Sequence, residues 1–377
     1  MKVAHLDTGR SWRGGQAQVL LLMRGLAARG HEPLLLAPPG PLLERARAAG
    51  LACEPWKPGG EWDLAALLAA AGILRRAGPA VVHCHSAHAH ALGVPAARLA
   101  RVPVAVVSRR VDFAVAGNLG SRLKYRMPVD RYLCISTGVR DVLRAAGIPD
   151  RRLVLVPSGI ELADGDAAAA PAAPGPAEAP RIPDLRAMVG VPAGTPIAGT
   201  VAALAPHKNH ADLLRAARIV VDARPDIHFV WIGEGECRPA LERLRFELAL
   251  EAHVHLLGFR EDARALMRQF TVFVLSSYLE GLCTSLLDAQ SLGVPVVATA
   301  VGGVPDIVTD GETGRLVPAR DPDALARAVL SAVEDEASRR VWAEHARLSV
   351  RAFSADHMVD ATLAAYRDAL EGRGGTP

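Results

Sequence analysis

The chain has 377 residues, half of them hydrophobic, and its 43 Lys and Arg nearly balance 40 Asp and Glu, for a formal charge of +3. That length favours two domains over one, and the near balance lacks the concentrated positive field of a non-specific nucleic-acid binder. Five scattered cysteines (Cys53, Cys84, Cys134, Cys237, Cys283) form no CxxC pair and read as reduced and mostly buried.

From the N-terminus, MKVAHLDT runs straight into a strand pattern at 3–6, followed by a loop from Asp7 to Gly15, a helix over 16–29 and a strand at 34–36. The opening lacks the features of a secretory signal, and no apolar run approaches membrane-spanning length, so a cytoplasmic protein is expected, with peripheral membrane contact left open. Helices follow at 41–49, 63–76 and 89–100, with strands at 80–84 and 103–107. Strands at 131–135 and 153–156, with a helix at 137–146 between them, close the first half.

Residues 163–189 are rich in Ala and Pro and read as a linker between domains, with a short helix near its end. Beyond it the alternation resumes: strand 196–202, helix 209–223, strand 227–232, helix 237–249, strand 253–257 and helix 261–269. Strand 271–275, helix 284–292, strand 295–299, a short element at 304–308 and helices at 322–334, 337–347 and 354–370 complete it. The expected fold class is α/β: two doubly wound domains, 1–162 and 190–353, facing each other across a ligand cleft at the carboxyl ends of their strands. Residues 354–377 form a last helix and tail.

Four stretches carry chemistry. Gly14 and Gly15, between a strand and a helix, leave the backbone bare beside free helix N–H groups, which suits a phosphate or serves a tight turn alone. At 81–90, VVHCHSAHAH places histidines at a strand's carboxyl end. The HxH spacing raises zinc, but no carboxylate or cysteine completes a site, so no metal is assigned. Substrate contact and a structural role both stand, and His85, nearest the strand's end, is the better contact. Lys208, in a loop just before a helix, can neutralise phosphate charge or be an ordinary solvated lysine.

The most specific stretch is SSYLEGLCTSLLDAQSLGVPVVATAVGGVPDIV. Glu280 sits in the loop after a strand, where it can reach a sugar. Asp288 sits in the following helix, where it can reach a ribose diol. Between them, N–H groups around Cys283, Thr284 and Ser285 can receive a diphosphate. There is no GxGxxG followed by a ribose-binding acid, so dinucleotide binding falls.

With these marks, and with Gly233-Glu234-Gly235, Gly258-Phe259, the run at 293–298 and Asp310-Gly311-Glu312-Thr313-Gly314, the chain resembles the retaining GT4 glycosyltransferases (glycosyl transferases group 1) over nearly its whole length. The resemblance implies the GT-B architecture of two Rossmann-like domains. The N-terminal domain would bind acceptor, the C-terminal one donor, and the last helix would cross back to the N-terminal domain. It implies transfer of a hexose or related sugar from a UDP-, GDP- or ADP-sugar to an acceptor hydroxyl, with retention and without a metal or other cofactor. His85 would then sit by the reacting sugar, Gly14, Gly15 and Lys208 on phosphate, and Glu280 on sugar hydroxyls. Cys283, Thr284 and Ser285 would lie at the diphosphate and Asp288 on the ribose, with Gly258, Phe259 and Arg260 near the base.

Two departures stand out: Ala203 where the family usually has Arg, and Asp288 in place of Glu. They leave open a nucleotide-sugar-binding relative with weakened catalysis. A GT-B sugar-nucleotide epimerase is the other enzyme alternative. Residues 101–160 hold eleven Lys or Arg against four Asp or Glu. Arg109, Arg110, Arg122, Lys124, Arg126 and Arg131 there fit an anionic or lipid-linked glycan acceptor such as lipopolysaccharide or another envelope glycolipid, at the inner face of the cell membrane, or form an ordinary solvated face.

Overall fold

A computed structural model describes residues 1–115, 119–162 and 182–374; most of the expected linker, 163–181, lies outside the described residues. The chain divides into two compact units, Met1–Gly159 with Phe353–Pro377, and Ile160–Ala352.

The first unit holds strands β1 (Lys2–Leu6), β2 (Glu32–Ala37), β3 (Ala52–Pro55), β4 (Val81–Cys84), β5 (Val104–Arg109), β6 (Arg131–Cys134) and β7 (Leu153–Leu155). They form one parallel sheet in the order β3-β2-β1-β4-β5-β6-β7. Parallel strands need crossovers, supplied here by α1 (Gly14–Ala28), α2 (Pro41–Ala48), α3 (Leu64–Ala77), α4 (Ala87–Leu99), α5 (Leu119–Arg126) and α6 (Thr137–Ala145). With helices on both faces the central strands can be apolar almost throughout, as in β4, where every residue is buried. Helix starts follow their capping residues: Asp63, Ser86 and Ser136 accept from the amides of Ala66, Ala89 and Val139. α3 ends on Gly78 in the left-handed conformation.

The second unit repeats the plan with β8 (Ile197–Val201), β9 (His228–Ile232), β10 (Val254–Leu256), β11 (Val272–Leu275), β12 (Val296–Thr299) and β13 (Arg315–Val317). The order is β10-β9-β8-β11-β12-β13, again parallel. Around it lie α7 (Leu185–Val189), α8 (His210–Ala223), α9 (Arg238–Glu247), α10 (Ala263–Met267), α11 (Thr284–Ser291), α12 (Pro322–Glu334) and α13 (Glu336–Ser349). Phe229, Trp231, Leu214, Val220, Val274 and Val329 share its core.

The last helix, α14 (Ala355–Gly374), belongs to the first unit. Its Met358, Val359, Leu363, Tyr366 and Ala369 join Val3, Leu22, Val81 and Val106 in one buried cluster. Gly25 of α1 permits the approach, since a Cβ there would lie 2.5 Å from Val359 Cγ2. Arg29 fastens the outside to Asp356 and Asp360.

Four elements depart from the sequence reading, one of them α5, a helix not expected between the strands at 103–107 and 131–135. β3 is an extra edge strand, largely exposed, whose ACEP carries no apolar alternation. β13 is a three-residue edge strand, and the segment 304–308 holds turns rather than a regular element.

Candidate functional site

In both sheets the strand order reverses beside the first strand of the unit, between β1 and β4 and between β8 and β11. The loops leaving such a pair diverge to opposite faces and open a crevice at the carboxyl ends of the strands. The first unit puts the Asp7–Arg13 loop and His85 there. The second puts Lys208 and Glu280 there.

In the first unit, α1 begins at Gly14 with no side chain capping its first turn. The first amide engaged in its ladder is that of Ala17, on Arg13 O. The amides of Gly14 and Gly15 and the helix dipole are thus disposed to meet an anion. The preceding loop is held by Asp7 Oδ1, which accepts from Gly9 N at 2.7 Å and Gln16 Nε2 at 3.1 Å. Thr8 ties it to the β4–α4 turn through Ser86 Oγ, 2.7 Å away. Arg110, just beyond β5, brings a cation to the same end, its Cδ 3.9 Å from the position a Cβ on Gly15 would take.

His85 follows β4 and is buried, with Nε2 3.0 Å from His5 Nδ1. His83 lies beneath it, with Nδ1 2.6 Å from Tyr366 Oη and Nε2 2.7 Å from Ser108 Oγ. Cys84 faces the other way, toward Gly93 of α4. One nitrogen from each of His5, His83 and His85 falls within 4.8 Å of the others, the metal-like grouping found among the described residues. The arrangement reads better as a hydrogen-bonded cluster. Both nitrogens of His83 are engaged by hydroxyls, no carboxylate belongs to the group, and the Arg110 cation opposes added positive charge. Burial first, then neighbouring His and Arg110, holds His83 and His85 well below the usual histidine range, so both are neutral.

In the second unit, Lys208 closes a short 3-10 turn after β8, and Asn209 in the left-handed conformation redirects the chain into α8. Lys208 Nζ meets Glu280 Oε2 at 2.6 Å, with only 14% and 10% of the two side chains exposed. Ser277 Oγ donates to the same oxygen at 3.1 Å. The two loops are also joined through the backbone: Tyr278 N donates to His207 O, Ser276 Oγ to Lys208 O, and Gly303 N to Glu280 O. Beside them α11 starts at Thr284, its N-cap Cys283 offering no side-chain hydrogen bond. Burial pushes the Cys283 thiol up to about 12, so it stays protonated.

Asp288 sits one turn into α11 with Arg264 Nε 3.4 Å away. Burial raises its carboxyl to about 6, Arg264 partly offsets this, and Glu161 adds to it. Gly258 accepts from Gly233 N, which links the β10 loop to the Gly233–Gly235 loop. That loop presses on the backbone after β8, where a Cβ on Gly233 would lie 1.9 Å from Ala202 O and one on Gly235 2.4 Å from Leu204 O. Phe259 is exposed, and Arg260 is held in a two-pronged pair by Asp262. Lys208 and Glu280 are therefore in direct contact, whereas Asp288 has its own partner, Arg264.

Family matches fall on both units. Glycosyltransferase Family 4 matches residues 12–164, and Glycosyl transferases group 1 matches residues 182–349. Both matched models are glycosyltransferase families related to the GT4 group, and the two parallel sheets have the GT-B fold. The chain is 31% identical over 179 residues to a lipopolysaccharide core biosynthesis glycosyltransferase of Rhizobium meliloti, covering 47% of this chain and 52% of that protein. It is 25% identical over 287 residues to the UDP-Gal:alpha-D-GlcNAc-diphosphoundecaprenol alpha-1,3-galactosyltransferase of Escherichia coli, covering 73% and 71%. The chain spans about half the length of several of the curated relatives it matches. Among solved structures, Anabaena HepE in complex with UDP superposes with a TM-score of 0.82 at 18% identity, over 98% of this chain and 100% of that one. At that identity the likeness speaks for the fold.

The structure also brings forward residues that the sequence did not single out: His5, Asp7, Ser108 and Tyr366 in the first unit, and Arg264 and Ser277 in the second. His5 gave no signal of its own in the sequence; the β1–β4 register that sets it opposite His83 brings it into the cluster.

Proposed function

We propose that the chain is a glycosyltransferase that moves a hexose or related sugar from a nucleotide-diphosphate sugar to an acceptor hydroxyl, retaining the anomeric configuration. The observation that carries this reading is the Lys208–Glu280 pair beside the uncapped start of α11. Without ligand the two charges satisfy each other. A diphosphate offers Lys208 more negative charge, and Thr284 and Ser285 in the first turn of α11 add N–H groups and the helix dipole. Glu280 is then released to accept from sugar hydroxyls. Asp288 serves the ribose, with Arg264 holding its shorter carboxylate, and the backbone at Gly258, Phe259 and Arg260 lies toward the base. In the first unit, the amides of Gly14 and Gly15, with Arg110 beside them, are themselves suited to a phosphate. In the second unit the diphosphate charge is met by Lys208 and the N–H groups at the start of α11 in place of the Arg replaced by Ala203, and no metal is assigned a part.

His85 would stand by the reacting sugar. With no evident covalent nucleophile, the acceptor oxygen forms its bond to the anomeric carbon on the face the diphosphate leaves. The acceptor proton passes to the departing phosphate oxygen.

For the acceptor we favour an envelope glycolipid such as lipopolysaccharide, met at the inner face of the membrane. The matched lipopolysaccharide-core and diphosphoundecaprenol enzymes support that class. Trp62, Leu64 and Leu123 are exposed around a cavity of about 200 Å³ that Leu67, Pro95 and Met127 help to line, and Phe113, Arg122 and Arg126 are also exposed. The rest of the basic segment is partly internal: Arg109 braces Tyr125 and Phe113 O, Lys124 pairs with Glu61 and Arg131 with Asp368. No described helix is long and apolar enough to cross a membrane.

The test is to incubate the full chain with UDP-, GDP- and ADP-sugars and truncated lipopolysaccharide, then assign the product anomer by NMR. An α-linked product from an α-donor supports the reading. An inverted product, or none from protein that binds a donor, contradicts it.

A further inference from the structure

The histidine cluster of the first unit is built by strand register. β1 and β4 run parallel with His5 opposite His83 and Leu6 opposite Cys84. Side chains two residues apart share a face of the sheet, so His5, His83 and His85 stack on one side of it. The His5 and His85 rings lie 18° from parallel with centroids 5.2 Å apart, and those of His83 and His85 are 3.9 Å apart.

A neutral imidazole has one N–H and one bare nitrogen, and the hydrogen bond at one nitrogen decides what the other presents. Burial holds His5 down to about 3, and His85 is likewise neutral, so a single proton lies between His5 Nδ1 and His85 Nε2. The nitrogens left over, His5 Nε2 and His85 Nδ1, are buried and have no protein partner. If His85 donated to His5, the second N–H would fall on His5 Nε2, inside the sheet layer at a residue with 0% exposure. A buried N–H with nothing to meet costs about 1–3 kcal/mol. If His5 donates to His85, the second N–H falls on His85 Nδ1, as buried as His5 Nε2 in the unliganded chain but just beyond the carboxyl end of β4, the side from which a ligand oxygen would accept it.

We propose that His5 is a positioning residue for the transfer reaction: by donating from Nδ1 to Nε2 of His85, it fixes the Nδ1–H tautomer of His85 and so presents a hydrogen-bond donor to an oxygen of the transferring sugar. The proposal rests on the reading that His85 faces that sugar. His83, clamped between Tyr366 Oη and Ser108 Oγ, packs under the His85 ring and keeps it in the plane of His5. Free imidazole in water favours the other tautomer, so the arrangement needs a donor at position 5.

Long-range 15N NMR of the histidine-labelled full chain reads the tautomer directly, with the His85 signals assigned by their loss in His85→Gln. The wild type is expected to show Nδ1 protonated in His85. His5→Phe keeps an aromatic ring but no donor, and should move His85 to the Nε2–H form. His5→Asn places an amide N–H where Nδ1 stood and should restore the first form. Turnover is measured in parallel on UDP-glucose, GDP-mannose and ADP-glucose. On the sugar nucleotide the wild type uses, kcat should fall about tenfold in His5→Phe with KM for the donor nearly unchanged, and recover in His5→Asn. An Nε2–H tautomer in the wild type, or a tautomer that His5→Phe leaves unmoved, overturns the proposal and spares the reading of His85. A wild-type rate in His85→Gln overturns that reading and the proposal with it.

Discussion

Replacing Lys208 with Met strips Glu280 of its cation while keeping most of the packing. The two side chains are 14% and 10% exposed and meet at 2.6 Å, so this is a largely buried pair. Removing one member of such a pair typically costs about 3–5 kcal/mol, because the remaining charge stays buried without its partner. The Ser277 hydroxyl still donates to Glu280, which places the expected loss near the lower end, about 3 kcal/mol. For a unit of this size each kcal/mol lowers Tm by roughly 2–4 °C, so the transition should fall by roughly 6–12 °C. Lys208→Met with Glu280→Gln removes both charges together and should recover much of that loss. Calorimetry and denaturant titration on the two single variants and the double close a cycle with an expected coupling of about 2 kcal/mol. Additivity within about 0.5 kcal/mol, or a loss under about 1 kcal/mol in Lys208→Met alone, would refute the pairing.

The Asp288 carboxyl ionises near pH 6 in the folded chain against 3.8 ordinarily, so folding favours its protonated form. Its contribution is therefore complete below about pH 4 and is lost as pH rises through 6, a change of about 3 kcal/mol that Asp288→Asn should abolish. Denaturant midpoints at pH 4, 5, 6 and 7 measure the difference between the two proteins. Gly233→Ala should destabilise the second unit by more than about 3 kcal/mol, since φ is +149° and the new Cβ would strike Ala202 O. Gly30→Ala, with φ +76° but open space, should cost only about 1–2 kcal/mol, and thermal melts compare them. Tyr366→Phe removes the hydroxyl on His83 Nδ1 and should cost about 1–2 kcal/mol in the first unit, read by denaturant titration.

Much of the architecture was legible because the central strands are buried on both faces and therefore almost wholly apolar, as in VFVL of β11 and the first three residues of VVAT in β12. β3 escaped because an edge strand packs on one side only and its ACEP resembles loop sequence. α5 escaped because its LGSRLKYR is polar and short of apolar repeats. At the site, Lys208 and Glu280 could be singled out as loop charges at strand ends, but their mutual contact spans 72 positions and depends on β8 lying beside β11. Arg264 gave no signal, since its bearing on Asp288 comes from the placement of α10 against α11. His5 likewise looked like one more strand residue until the β1–β4 register set it beside His83.

The most direct measurement is calorimetric titration of UDP, GDP and ADP into the wild-type chain and into Lys208→Met, at a temperature where both are folded. Saturable binding of one diphosphate, weakened at least about tenfold in Lys208→Met, is the expected result for a charge-assisted phosphate contact. Binding of equal strength in the two proteins, or no binding of any diphosphate to the folded wild type, would contradict a donor site at Lys208 and Glu280.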